Sequence, residues 1–153
     1  MLNIFKKKDP GFFSPDDQQL IVDAIKRAES ETSGEIRLFV ESRCGYVNAL
    51  DRAKELFEKL HMYETEAKNG VLVYLAMKDR QLAVFGDEGI DQKVGAAFWQ
   101  QEVQRIVKQF GQQSYALGIQ DMVLAIGDAL KAAFPYNKKS DLNELPDDIV
   151  YGK

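Results

Sequence analysis

The run NGVLVYLAM, Asn69 to Met77, limits the fold more than any other stretch of this chain. Past Asn69-Gly70 it holds no charged side chain, and its β-branched and aromatic content favours an extended strand. A half-buried strand alternates polar with apolar residues. This one does not, so both of its faces are covered. The cover has to come from the rest of the 153 residues. A chain of that length suits one domain that buries roughly 68–70% of its unfolded surface.

Helices are marked on either side of the run. Ser14-Pro15-Asp16-Asp17 combines a capping hydroxyl, a first-turn proline and two acids at the positive end of a helix dipole. Ile21, Ala24, Ile25 and Ala28 continue it at helical spacing, and Gly34 is expected to end it. EIRLFVES, Glu35 to Ser42, alternates as a half-buried strand does. Ala53, Leu56, Phe57 and Leu60 mark a second helix that starts near Asn48. Lys78-Asp79-Arg80-Gln81 is a polar turn, so residues 71–86 read as an antiparallel hairpin. Trp99, Val103, Ile106, Val107 and Phe110 line a further helix, closed by Gly111. Ile119, Met122, Val123, Ile126 and Leu130 line the last helix, which runs to about Phe134. The order is α-β-α-β-β-α-α. It describes an α/β domain over residues 13–134, a flexible segment at 1–12 and an extended tail at 135–153.

A strand, a helix and a second strand of this kind form a right-handed parallel crossover, which puts both strand starts on one edge of the sheet. The hairpin brings its own end back to the same edge. Glu35, Asn69, Asp87 and Glu88 are therefore expected as neighbours, with Asp91 close behind in GDEGID. Calcium takes six to eight oxygens from carboxylates, amides, backbone carbonyls and water, and these residues offer them. Gly86 and Gly89 let the backbone turn its carbonyls inward. Magnesium suits the same oxygens with more retained water. The competing reading is a tight turn with solvated acids, in which Asp87 or Asp91 caps the next helix. At the opposite edge, Asp79-Arg80 with Glu41 and Arg43 reads as a turn held by ion pairs.

A net charge of −4 argues against nucleic acid as a partner. Cys44 is the only cysteine, so neither an internal disulfide nor a cysteine-based zinc site forms. It lies beside Arg43 but has no histidine partner, and reads as an incidental thiol. His61, the only histidine, reads as a helix-end residue. Trp99 and Tyr115 read as core. The N-terminus has no apolar stretch fit for a secretory signal, and no run approaches the ~20 residues of a membrane span. The expected address is cytoplasmic, and Lys6 to Lys8 with Phe5, Phe12 and Phe13 give at most weak contact with an anionic membrane. Phosphate-loop, dinucleotide, H-E-x-x-H, G-x-S-x-G and EF-hand motifs are all absent. Three function classes remain. They are a non-catalytic divalent-cation module that contacts an unidentified protein partner, a metal-assisted phosphomonoesterase using the same carboxylates, and a ligand-free interaction scaffold.

SGEI at Ser33 to Ile36, NGVLVYLA at Asn69 to Ala76 and KDRQLAVFGDEGI at Lys78 to Ile90, followed by a helix pair, resemble the TPM domain family. The resemblance spans about Phe13 to Phe134, and the tail NELPDDI is similar to a compact bacterial subgroup. It implies a three-layer α/β/α sandwich around a small mixed sheet. It also implies calcium binding and, in some members, weak acid phosphatase activity. Many members carry a signal peptide and a membrane anchor. This chain departs from them there, and in the extra acids of GDEG.

Overall fold

The computed structural model describes residues 5–6, 11–45, 48–110, 114–136 and 149–152. Helix α1 (Pro15–Glu29) starts as its capping pattern requires, with Ser14 Oγ accepting from the Asp17 amide at 3.1 Å. Strand β2 (Glu35–Glu41), helix α2 (Ala49–Lys59) and strand β3 (Gly70–Ala76) form the parallel crossover. Strand β4 (Gln81–Gly86) returns antiparallel to β3. A short helix α3 (Glu88–Lys93) leads into α4 (Ala96–Gln109) and α5 (Tyr115–Ala133). Two further strands, β1 (Phe5–Lys6) and β5 (Val150–Gly152), complete a sheet ordered β1-β5-β2-β3-β4.

Side-chain alternation splits the sheet into two dry faces. Ile36, Leu38 and Val40 of β2, with Val71, Val73 and Leu75 of β3, pack against α1, α4 and α5. Phe39, Leu72, Tyr74, Ala76 and Ala83 face the other way, against Ala53, Leu56 and Phe57 of α2. Every residue of β3 is buried, as its unbroken apolar run requires. The result is the expected three-layer α/β/α sandwich around a mixed sheet. Contact between α1 and α5 is close at Gly127, where an added Cβ would lie 2.6 Å from Ala28 Cβ.

Several boundaries differ from the sequence expectation. The tail enters the sheet, since Val150 and Tyr151 pair in parallel with Phe39 and Val40. The leading segment does so too, for Phe5 and Lys6 pair antiparallel with Gly152 and Tyr151. Strands of two and three residues carry no periodicity, and only pairing across the whole chain defines them. Helix α1 stops at Ser30 rather than Gly34. Gly34 instead makes room for Leu130, whose Cδ1 would lie 2.9 Å from an added Cβ. His61 closes α2 through its backbone, at φ 56° with its N–H on the Glu58 carbonyl, while its side chain is exposed. Val107, expected in the core, is 43% exposed. Gly111, Lys7, Lys8 and residues 137–148 lie outside the described residues.

Candidate functional site

The crossover brings the three segments to one edge. Glu35 pairs with Gly70, and Val71 pairs with Gly86. The Glu35 amide donates to the Asn69 carbonyl at 3.2 Å, and the Asp87 amide to the Gly70 carbonyl at 3.0 Å. Gly70 thus lies between Glu35 and Asp87 in the sheet.

The side chains divide. Glu35 and Asn69 are buried, at 3% and 1% exposure. Asn69 Nδ2 donates to the Ser33 carbonyl at 3.2 Å, and its amide N–H to Thr65 Oγ1 at 3.2 Å. Among the described residues its Oδ1 is buried without a hydrogen-bond partner. Asp87 is half-buried and caps α3 through Oδ1, which accepts from the Glu88 amide at 2.8 Å. The capping alternative therefore holds for Asp87, but it uses only one oxygen: among the described residues the buried Oδ2 has no partner. Glu88 and Asp91 are exposed. Asp91 lines a different depression, along β4. The corner thus gathers Glu35, Asn69 and Asp87, with Glu88 at its rim and Asp91 apart.

Two backbone carbonyls lie against Gly89. A Cβ on Gly89 would meet the oxygens of Ala67 and Lys68 at 2.4 and 2.6 Å, so both carbonyls face the first turn of α3. Lys68 reaches this geometry at φ 53°, in the left-handed region. Among the described residues, no three Asp, Glu, His or Cys side chains form a group able to hold a metal. A cation here would rest on one or two carboxylates together with amide and main-chain oxygens.

A second polar cluster, absent from the sequence reading, lies at the opposite edge. Glu41 is 5% exposed and receives Arg52 Nε and Nη2 at 2.9 and 3.0 Å. Tyr74 Oη donates to the same carboxylate. Arg52 also reaches Glu55, which pairs with Lys59. Burial, then the hydrogen bond to Glu41, pushes the Tyr74 phenol well above its ordinary range. The Glu41 hydrogen bond raises Arg52 as well. The expected Arg43–Asp79 ion pair forms at 3.2 Å, and Asp79 also accepts from the buried Cys44 amide. Glu41 joins Arg52 instead of that turn. Its signal in the sequence was Tyr74, a lone phenol inside an apolar run, which has to find a partner when buried.

Fold and corner together define a small α/β/α domain in which a glycine-rich turn after a hairpin closes over the starts of two parallel strands. The sequence profile of the TPM domain matches residues 7–129, and the chain belongs to that family. The BA42 protein of the psychrophilic bacterium Bizionia argentinensis, solved by NMR, is similar over 96% of this chain and 100% of its own, at 37% identity and a TM-score of 0.85. An N-terminal domain from P. gingivalis shares the fold at 17% identity and TM-score 0.69, covering 83% of each chain. The N-terminal domain of cg2496 from Corynebacterium glutamicum does so at 16% and 0.60, over 79% of this chain and 76% of that one. Among curated proteins none matches the chain. No helix among the described residues is long and apolar enough to cross a membrane.

Proposed function

We propose that this TPM domain is a non-catalytic module that binds a divalent cation, calcium before magnesium, at the Glu35/Asn69/Asp87 corner. Two buried side-chain oxygens without hydrogen-bond partners carry the reading: Asn69 Oδ1 and Asp87 Oδ2. A buried oxygen with no donor costs free energy unless something else satisfies it, and a cation does so. Main-chain oxygens of Ala67 and Lys68 supply further neutral ligands, a mixture calcium accepts more readily than magnesium. Glu88 adds charge from the rim. A bound ion would tie α3 to the 65–69 loop and so set the geometry that a protein partner meets.

So few carboxylates place the affinity in the weak class, on the order of 10⁻⁴–10⁻³ M. Calcium at about 10 mM then stabilises the fold by roughly 1.4–2.7 kcal/mol. For a domain of this size the melting temperature rises by roughly 3–10 °C. Magnesium at equal concentration gives a smaller rise. A melt unchanged at 10 mM calcium overturns the proposal.

A further inference from the structure

Among the described residues no strand pairs with the outer edge of β4, which lies in a groove between α2 and α4. In the antiparallel β3–β4 ladder the Asp87 amide bonds to Gly70, so Phe85, Ala83 and Gln81 turn their backbone groups toward β3. Leu82, Val84 and Gly86 turn theirs outward. Those residues are nonetheless buried, with Leu82 7% and Val84 5% exposed, because the two helices rise on either side. Outward backbone groups in so sheltered a place demand partners.

A second, independent observation lies in the same groove. Trp99 is 4% exposed and lines it, and among the described residues its Nε1–H has no acceptor. An added Cβ on Gly86 would lie 3.2 Å from that nitrogen, which places the unused donor beside the last outward-facing residue of β4. The lips carry the side-chain amides of Asn48, Gln100 and Gln104, with one lysine and one aspartate.

We infer that β4 accepts an extended segment of a partner protein as a sixth strand. The alternating N–H and C=O groups of the edge are matched by a polypeptide backbone and by no small ligand. The nearly balanced charge of the lips calls for a segment without a charge run, about five or six residues to match β4. A groove of 470 Å³ holds a bare strand. It does not admit the β4 of a second copy, since that strand is recessed between its own helices.

Octapeptides selected from a random phage-displayed library on the full chain supply the probe, and the best is synthesised. Its binding should shift the amide resonances of Leu82, Val84 and Gly86 and of the Trp99 indole. N-methylation of that peptide should weaken binding roughly five- to tenfold at every second residue and leave the intervening residues unaffected. Val84→Pro, which deletes an outward donor on an edge strand and spares the β3 ladder, should weaken binding by a similar factor. Trp99→Phe should do the same. If Val84→Pro misfolds, the N-methyl series decides alone, because it leaves the protein untouched. A library without a saturable binder, shifts clustered elsewhere, or an N-methyl series without period two overturns the inference. So does a concentration-dependent dimer that Val84→Pro abolishes, which would give the groove to a second copy.

Discussion

Tyr74→Phe tests the buried cluster at the far edge of the sheet. At neutral pH the change removes one hydrogen bond to an ionised carboxylate, a contact worth about 1.5–3 kcal/mol. Arg52 keeps its two bonds to Glu41, so the carboxylate is not orphaned and the loss falls near the lower figure. The pH dependence is more telling. The folded phenol titrates above its unfolded value, so its stabilising effect is complete below pH ~10 and is lost as pH rises beyond that. Each pH unit above ~10 then removes about 1.4 kcal/mol from the wild type and nothing from the variant at this site. Every other ionisable group is common to both proteins and cancels in the difference. Urea unfolding from pH 7 to 11 should show a constant gap up to pH ~9. That gap then closes by about 1.4 kcal/mol at pH 11. Absorbance at 295 nm gives a direct check, since the native wild type and Tyr74→Phe should show the same rise through pH 11. A gap that stays parallel to pH 11, or native ionisation of all six tyrosines near pH 10, refutes the burial argument.

At the proposed cation corner, Asp87→Asn and Glu35→Gln should each weaken the calcium-induced rise in melting temperature, and the double variant should lose less than the sum. Asparagine still caps α3, so the fold survives, and Asp79→Asn at the opposite edge should leave the rise intact. Full calcium response in the double variant, read by the same melts, would place the ion elsewhere. Gly127→Ala should cost about 1–3 kcal/mol by urea unfolding, because a Cβ 2.6 Å from Ala28 Cβ forces α1 and α5 apart and outweighs the ~1 kcal/mol gain in helix propensity. An increase in stability would show that the helices yield freely. Hydrolysis of p-nitrophenyl phosphate at acid pH should stay at background with calcium or magnesium. A robust rate abolished by Asp87→Asn would instead establish the enzyme.

The central topology was legible because each of its elements repeats a local rule. β3 announced itself by an unbroken apolar run, α1 by its cap and its i, i+3, i+4 face, and the crossover by handedness. The corner followed from those three facts, which is why Glu35, Asn69 and Asp87 converge although far apart in sequence. Side-chain direction was not legible. Asp91 sits one helical turn past Asp87 and looks into the β4 groove, because α3 rotates it away from the corner. The carbonyls of Ala67 and Lys68 left no mark in the sequence beyond Gly89, whose need for close approach shows only in three dimensions. The Glu41–Arg52–Tyr74 cluster joins three elements, and no spacing rule connects a strand end, a helix face and a mid-strand phenol.

The pairing of Phe5–Lys6 with Tyr151–Gly152 bears on how the chain matures. The outer flank of β2 at Phe39 and Val40 stays bare until β5 arrives, and β5 follows every other strand and helix in the element order. A chain from which β5 has not yet emerged, or has been cut away, therefore displays a raw sheet edge of the kind chaperones and proteases recognise. Capture of β5 by β2, followed by pairing of β1 with β5, covers that flank and leaves only a two-residue strand at this edge. Residues 5–6 and 150–152 thus act as a seal on the folded sheet, and their loss would mark a molecule for turnover before its core had opened.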